Sequence, residues 1–358
     1  MNEQLFGPNN HSKSEISWKQ VDQERQEEIR SLLVRHYAYL VEEARAIRQV
    51  DEWEQYSNNY AVACAMRDGE EKNILVRKHI LASNEEILNA LLVTEYLRMN
   101  DLPVPKVIQS REDTSFIRRH GTGWQVFEFI PARYHFRGTA DDLTTAGQVI
   151  ARMHAALRSF PMKEDIPRSF DAMGSLDAAW WEQVASLHGE NEFETTVRER
   201  KAFIQDRVAR AVEALEIVSQ AEEINHGDLH PHNFLFCGDE LVGLIDFGNV
   251  FRADQRYDVA MACHRLVRQY VVHEGRPWQE VLQQGVELFL QAYVSVLPLC
   301  DECVRSLPAF DAALILRKMA HNFNLYREGK REWQGCLSQF QRFFLFLDEA
   351  DAIQAALV

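Results

Sequence analysis

The sequence lacks long apolar runs, is poor in cysteine and has fewer cations than anions. No stretch approaches the ~20 consecutive apolar residues of a transmembrane helix, and the chain starts with no apolar signal segment. Its six cysteines in 358 residues are scattered, which predicts a reducing, cytoplasmic compartment. The 39 lysines and arginines against 54 aspartates and glutamates leave a net charge of −15. Because nucleic acid and anionic membranes both need a basic face, neither is expected as the main partner.

The composition is otherwise that of a soluble globular protein with room for two domains. Apolar residues make up 46% of the chain and charged residues 26%. Cys300 and Cys303 form a single Cys-x-x-Cys pair, which does not by itself indicate a metal or redox site. The oligomeric state stays open.

The spacing of apolar residues divides the chain into a strand-rich front part and a helical back part. Residues 1–16 are polar and predict a disordered tail. Helices are expected from apolar spacing at 17–45, 84–100, 143–157, 193–218 and from 257 onwards. Strands are expected at 60–66, 74–77, 114–118, 124–130, 233–237 and 241–245.

The change from strands to helices falls near Pro131, which cannot continue a sheet. We therefore predict an N-terminal lobe of residues 17–130 and a C-terminal lobe of residues 131–358. Neither repeats nor a low-complexity linker separates the two parts, so the lobes are expected to touch closely.

The segment from residue 224 to residue 248 carries the side chains that phosphoryl transfer needs. That reaction depends on positioning and on electrostatic stabilisation of a charge-spread transition state. Asp228 is the candidate catalytic base, which orients the acceptor hydroxyl or takes its proton. Asn233 and Asp246 offer the oxygen ligands that Mg²⁺ prefers. Asp-x4-Asn followed by a hairpin and Asp-Phe-Gly is the spacing of kinase catalytic and metal loops.

These two motifs resemble the aminoglycoside phosphotransferase and choline kinase superfamily, which also contains type II homoserine kinases. The residues that carry the resemblance are His226-Gly-Asp-Leu-His-Pro-His-Asn233 and Leu244-Ile-Asp-Phe-Gly248. Gly227 stands where protein kinases have arginine, which points to the small-molecule branch. The resemblance, over about residues 45–260, implies that His226 and Asp258 are structural partners of the catalytic loop.

A zinc site is the competing interpretation of the same segment. His226, His230 and His232 together with Asp228 could bind zinc, with the first two histidines one helical turn apart. Gly227 and Pro231 disfavour a regular helix there, and zinc binding explains neither Asn233 nor the Asp-Phe-Gly motif. We therefore favour the kinase-type loop, and keep a metal-dependent hydrolase as an alternative.

The front part is then expected to bind ATP. Arg77 ends the strand 74–77 on the same face as Leu75, so Arg77 is the candidate for the phosphates and Lys78 would point the other way. The phosphate loop would precede Tyr60. It has no glycine, so backbone N–H groups or the side chains of Ser57 and Asn58 would make the contacts.

Two further nucleotide contacts are expected from the resemblance. A glutamate of the helix 84–100 should pair with Arg77, and Glu86 is the candidate, although the family alignment points to Ala90. The alternative for Glu86 is a solvated first helical turn. The backbone of Glu128, Phe129 and Ile130 should hold the adenine edge, because this segment resembles the connection between kinase lobes.

These observations together predict a bilobal α+β protein-kinase-like fold. An antiparallel sheet with a packed helix forms the N-terminal lobe, and a larger, mainly helical C-terminal lobe carries both catalytic loops. The expected activity is ATP- and Mg²⁺-dependent transfer of the γ-phosphoryl group to a hydroxyl of an amino alcohol, aminoglycoside, homoserine or sugar. Closure of the lobes around the nucleotide would exclude water. A catalytically silent nucleotide-binding protein is the second alternative.

The acceptor itself is not identified by the sequence. Acidic side chains in its pocket would favour an amine. Candidate pocket residues that are also compatible with ordinary core or surface positions are Asp254, His264, Arg265, Trp180, Trp181 and the segment 318–326.

Overall fold

The computed structural model describes residues 5–7, 14–50, 57–80, 82–168, 176, 178–217 and 222–357. The chain forms two units that interleave along the sequence. The sheet unit consists of residues 13–136 and 232–249, and the helical unit consists of residues 1–12, 137–231 and 250–358. The hairpin 232–249 thus belongs with the N-terminal strands, which differs from the predicted division after residue 130.

Strands dominate the first third of the chain and helices the remainder. The first elements are β1 (Trp18–Gln20), α1 (Gln23–His36), β2 (Val41–Val50), β3 (Ser57–Met66), β4 (Glu71–His79), α2 (Asn84–Met99), β5 (Ile117–Arg119), β6 (Thr122–Glu128) and β7 (Tyr134–His135). Next come α3 (Ala140–Leu157), α4 (Ala178–Ala185), α5 (Glu192–Glu199), α6 (Lys201–Ile217), β8 (Glu223–Asn225), β9 (Phe234–Cys237), β10 (Glu240–Leu244) and β11 (Phe251–Ala253). The last are α7 (Arg256–Glu274), α8 (Trp278–Val294), α9 (Asp301–Arg327) and α10 (Trp333–Ala356).

The sheet unit is built on a six-stranded antiparallel sheet in the order β1-β2-β3-β4-β6-β5. Alternate side chains of its central strands point to one face, as the two-residue period of a strand requires. That face packs on Ile29, Leu32 and Leu33 of α1 and forms the apolar core. A second, three-stranded sheet has the order β10-β9-β7. The other helix, α2, lies against the turn Phe247–Asn249 that follows β10.

The helix expected over 17–45 is wrong at both ends, because β1 forms over Trp18–Gln20 and β2 begins at Val41. Glutamate, alanine and arginine in β2 favour helices. However, Ile47 joins the core, and β2 pairs with β3 along most of its length, with Ile47 opposite Val62. Burial and cross-strand pairing outweigh the weaker local preference.

Long helices form the helical unit, with α3 packed on α8 and α9 packed on α6, α7 and α10. Gly147 allows a close approach of α3 to α8, because a Cβ atom there would lie 2.9 Å from the carbonyl oxygen of Phe289. The short strands β8 and β11 pair beside these helices. Cys300 and Cys303 form a disulfide at the start of α9, where reduced thiols were expected. None of the described helices combines the length and apolar character that a membrane crossing requires.

Residues 5–7 pack into the helical unit, which differs from the disordered tail expected over 1–16. Phe6 is only 2% exposed, and its ring lies 5.6 Å from that of Trp278. The backbone N–H of Phe6 donates to Glu349 Oε1 at 2.8 Å, and the carbonyl oxygen of Gly7 accepts from Arg268 Nη2 at 2.5 Å. The segment therefore supplies polar partners to two buried charged groups.

We expect Phe6→Ala to lower the free energy of unfolding by about 2–4 kcal/mol, because it empties a buried aromatic site. Urea unfolding followed by circular dichroism measures the change. Met99→Ala is the matched control, since Met99 is 69% exposed and its loss should change stability little. Equal unfolding midpoints for the two variants would show that residues 5–7 do not stabilise the protein.

Candidate active site

The loop that carries Asp228 is hydrogen-bonded to one buried carboxylate. Asp258, at the start of α7, accepts hydrogen bonds from the backbone N–H groups of His226 at 2.5 Å and Gly227 at 2.9 Å. His154 Nε2 lies 3.2 Å from the same carboxylate, and its Nδ1 lies 2.8 Å from the hydroxyl of Tyr293. Asp258 is 1% exposed, so these partners replace water around its charge.

Gly227 allows the chain to turn sharply at this point. Its φ angle is +81°, in the left-handed region that other residues occupy at a cost. The turn follows β8 directly and lets two successive N–H groups face the same carboxylate. This conformation explains why glycine precedes the candidate base.

Asp228 itself is surrounded by cationic and histidine side chains. His230 Nε2 lies 3.4 Å from its Oδ2, and Lys318 Nζ lies 3.9 Å from its Oδ1. Burial alone would raise the pKa of Asp228, but the charge and hydrogen bond of His230 and the charge of Lys318 outweigh it. The pKa is held well below its usual range. Asp228 is therefore ionised at neutral pH, which suits a group that orients a hydroxyl.

Removing the charge of Asp258 should loosen this loop. We expect Asp258→Asn to lower the free energy of unfolding by about 2–4 kcal/mol, because an amide nitrogen would then face backbone N–H donors. Urea denaturation measures the loss. Asp141→Asn changes an exposed acid in the first turn of α3 and should have little effect. Similar losses in both variants would contradict the proposed support of the loop.

The second group of predicted site residues lies in the sheet unit, at the two ends of the β9–β10 hairpin. Asn233 immediately precedes β9, and its carbonyl oxygen accepts a hydrogen bond from the N–H of Ile245 at 3.0 Å. Asp246 follows Ile245 and has a φ angle of +68°. Hairpin pairing thus brings together two residues that are thirteen apart in the chain. Amide and carboxylate oxygens are the types of ligand that a hard divalent cation such as Mg²⁺ prefers.

Arg77 connects the front strands to this hairpin. Its Nη2 donates to Asp246 Oδ1 at 2.6 Å and to Ser57 Oγ at 3.1 Å. Lys78 points to the opposite face, 3.3 Å from Glu28, as the strand period predicts. The structure therefore brings together three of the predicted site residues, namely Arg77, Ser57 and Asp246.

Glu86 does not form the predicted ion pair with Arg77. Its carboxylate accepts from the backbone N–H of Ser83 at 2.7 Å, while Ser83 Oγ accepts from the N–H of Glu86 at 3.1 Å. This reciprocal arrangement is a capping box at the start of α2. The pairing expectation is corrected because Glu86 satisfies its own helix terminus, whereas Arg77 is engaged by Asp246.

The remaining nucleotide candidates lie in the sheet unit as well. Asn58 Oδ1 accepts from Gln49 across the sheet at 3.4 Å, and residues 51–56 of the expected phosphate loop lie outside the described residues. Glu128 ends β6, and its exposed carboxylate pairs with Lys106 at 2.6 Å. The Phe129 ring lies 6.3 Å from that of Trp18. The carbonyl oxygen of Ile130 accepts from the N–H of Ala132 at 2.8 Å.

Each of the three histidines of the zinc interpretation makes a different contact. His226 accepts from the N–H of Asp228 at 3.3 Å, and His230 faces the carboxylate of the same residue. His232 stacks on His135 with ring centroids 4.8 Å apart. No group of three or more His, Cys, Asp or Glu side chains suited to a metal ion occurs in the part of the chain that the structure describes.

Sequence reasoning missed His79 and gave Lys318 no role of its own. His79 Nε2 lies 2.7 Å from Gln125 Oε1, two residues along β4 from Arg77. Burial, reinforced by the positive charge of Arg77, lowers the pKa of His79 from 6.5 to about 4. Lys318 lies ninety positions beyond Asp228 in the sequence, so no local motif could have linked them.

Acidification should destabilise the protein through His79. Its pKa is depressed in the folded state, so the stability due to neutral His79 is complete above pH 6.5 and is lost as the pH falls towards about 4. We expect His79→Gln to remove about 1–3 kcal/mol of this pH dependence. Urea unfolding as a function of pH measures it, with His273→Gln at an exposed site as control. Parallel pH profiles for the wild type and His79→Gln would exclude this effect.

Comparison with known proteins decides the family. A family model described as the phosphotransferase enzyme family matches residues 52–296, which is more than half of the chain. The chain belongs to the phosphotransferase enzyme family. Among solved structures, spectinomycin phosphotransferase in complex with ADP and spectinomycin superposes with a TM-score of 0.64 and 16% identity. The superposition covers 91% of this chain and 98% of that chain.

The same fold occurs in a microcompartment-associated aminopropanol kinase. It superposes with a TM-score of 0.57 and 18% identity, covering 92% of this chain and 98% of that chain. The predicted bilobal kinase-like α+β fold and the suspected superfamily are therefore confirmed for this phosphotransferase-family chain.

Sequence relatives in the family include homoserine kinases. The enzyme of Zymomonas mobilis is 28% identical over 195 residues, which are 52% of this chain and 57% of the relative. The enzyme of Rhizobium johnstonii is 25% identical over 229 residues, which are 62% of this chain and 64% of the relative. The chain thus spans less than two thirds of the length of these curated relatives.

Proposed function

We propose that this protein is an ATP- and Mg²⁺-dependent phosphotransferase that transfers the γ-phosphoryl group to a hydroxyl of a small molecule. The observation that carries the proposal is the group formed by Arg77, Ser57 and Asp246 beside Asn233. It combines a cation for phosphates with oxygen donors for a metal ion. Membership of the phosphotransferase enzyme family supports the same conclusion.

Asn233 and Asp246 would hold Mg²⁺, which when bound neutralises charge on the phosphate oxygens. Arg77 fixes the orientation of Asp246 through the 2.6 Å hydrogen bond and brings a positive charge to the same place. Ser57 and Asn58 are proposed to contact the phosphates. The backbone of Glu128, Phe129 and Ile130 is proposed to hold adenine. Glu86 is left out of the proposed nucleotide site, because its carboxylate caps the start of α2.

In the proposed reaction the acceptor oxygen attacks the γ-phosphorus and the bond to the bridging oxygen of ADP breaks. Asp228 orients the acceptor hydroxyl and receives its proton, which then passes to solvent. Because His230 and Lys318 hold the pKa of this carboxyl low, proton transfer is expected late, when the forming O–P bond has made the hydroxyl more acidic. ADP and a phosphate monoester are the products.

The similarity to homoserine kinases and to an aminopropanol kinase places homoserine and aminopropanol first among the acceptors to test. A cytoplasmic location, and the lack of a nucleic-acid or membrane partner, stay predictions from composition.

A catalytically silent nucleotide-binding protein is the second candidate. The observation that favours it is the position of Glu86, which caps α2 and leaves Arg77 without the expected helix glutamate. Nucleotide binding without phosphate transfer to any hydroxyl compound would support this candidate.

We expect Asp228→Asn and Asp246→Asn each to reduce phosphate transfer at least about 100-fold, because each removes a charged oxygen from the reaction. Transfer from radiolabelled ATP is measured over homoserine, aminopropanol, choline, aminoglycosides and sugars. Asp239→Asn changes the exposed turn between β9 and β10 and is the matched control. Full activity in either test variant would refute its assigned role.

A further inference from the structure

Three cationic side chains from different helices of the helical unit lie near one another, and two of them, Arg265 and Lys318, also interact with Asp228. The three are Arg265 of α7, Lys318 of α9 and Arg342 of α10, together termed the basic cluster. Lys318 Nζ lies 3.9 Å from Asp228 Oδ1, beyond hydrogen-bond distance. Arg265 interacts electrostatically with Asp228 and with the other two members. The cluster therefore adjoins the carboxylate that is proposed to orient the acceptor.

The two arginines share an aromatic platform. The guanidinium carbon of Arg265 lies 3.4 Å from the centre of the Phe346 ring, and that of Arg342 lies 5.9 Å from it. Stacking on an aromatic face holds a guanidinium in place and leaves its N–H groups directed sideways. Arg265 Nη1 is buried and has no hydrogen-bond partner among the described residues. Its donor capacity is thus unused in this structure.

The nearby carboxylates are largely engaged elsewhere. Asp311 Oδ2 lies 2.5 Å from His264 Nδ1, and Glu349 contacts both His264 and Arg268. In the described part of the chain, neither Arg265 nor Arg342 forms a salt bridge with a carboxylate. Among the described residues, the acidic neighbours of Arg265 and Lys318 are thus Asp228 and Asp311.

Burial of the positive charges of the basic cluster costs free energy. Burial lowers the pKa of Arg265 to about 10, and burial lowers the pKa values of Lys318 and Arg342 as well. A desolvated cation without a hydrogen-bonded anion is unfavourable, and a bound anion would relieve that cost. The net charge of −15 therefore conceals a local excess of positive charge.

We propose that the basic cluster binds an oxyanion of the acceptor, a carboxylate or a phosphate, whose hydroxyl lies at Asp228. Arg265 offers planar paired donors to the oxyanion, and Lys318 stands between the oxyanion and Asp228. The acceptor is then an alcohol that carries an anionic group, such as a hydroxy acid. This inference rests on the proposed function and specifies its substrate class.

Four compounds separate the charges of the acceptor. Homoserine carries a carboxylate and an amine, γ-hydroxybutyrate carries only the carboxylate, and aminopropanol carries only the amine. Glycerol phosphate replaces the carboxylate with a phosphate. Each is titrated calorimetrically into the full chain with ADP and Mg²⁺. We expect at least one oxyanion compound to bind about tenfold or more tightly than aminopropanol.

Substitutions then assign the binding to the cluster. Lys318→Met and Arg265→Gln should each weaken binding of the oxyanion compound about 10–100-fold, because each removes a charge-assisted hydrogen bond. Lys318→Arg should retain most of the affinity. Lys330→Met and Arg276→Gln are the matched controls, since both residues are exposed and pair locally with Glu328 and Glu274. Thermal unfolding of every variant confirms that the fold is kept.

The outcomes are distinct. Tighter binding of a carboxylate or of glycerol phosphate, lost in Lys318→Met and Arg265→Gln, supports the inference and identifies which oxyanion is bound. Equal or tighter binding of aminopropanol, no binding of any oxyanion compound up to millimolar concentration, or a loss confined to ADP affinity overturns it.

Failure of the inference and failure of the proposed function give different results. Phosphate transfer to aminopropanol but to no oxyanion compound would preserve the function and overturn the inference. Oxyanion binding that depends on the basic cluster, without phosphate transfer to any compound, would support the binding site and refute the proposed function.

Discussion

The position of the candidate catalytic loop depends on the buried charge of Asp258. Two backbone N–H groups and His154 surround its carboxylate, so the charge is stable only while the loop keeps its turn. Tyr293 extends the interaction to α8, and the α3 helix carries His154. The loop 226–227 and the helices α3, α7 and α8 are thus linked through the charged carboxylate of Asp258. Such a fully partnered polar group favours a single conformation over looser alternatives.

Each unit carries a carboxylate that faces cations. In the sheet unit Asp246 is bound by Arg77, and in the helical unit Asp228 lies near Lys318 and His230. Each arrangement places positive charge for an anionic ligand beside a carboxylate. The surplus of acidic residues over the whole chain does not reveal these local positive charges. Net charge reflects solubility and long-range fields, whereas binding depends on the groups within a few ångströms of the ligand.

Sequence reasoning succeeded where chemistry is local in the chain. The hairpin between Asn233 and Asp246 follows from two short strands with a turn, and the face of Arg77 follows from the period of β4. It failed where tertiary contacts decide. The segment 41–50 has helix-favouring residues but joins a sheet, and Glu86 is used by its own helix terminus. Arg265, Lys318 and Arg342 come from three helices, and only packing brings them together.

The contacts of residues 5–7 affect how a shortened form of the protein would behave. A chain that began at the first predicted helix, near residue 17, would lack the N–H group that donates to Glu349 and the carbonyl that accepts from Arg268. Both charged groups are buried, and Glu349 also contacts His264 on the neighbouring α7. Reduced activity of such a truncation would therefore report damage to the helical scaffold, and it would say little about whether the removed residues take part in chemistry.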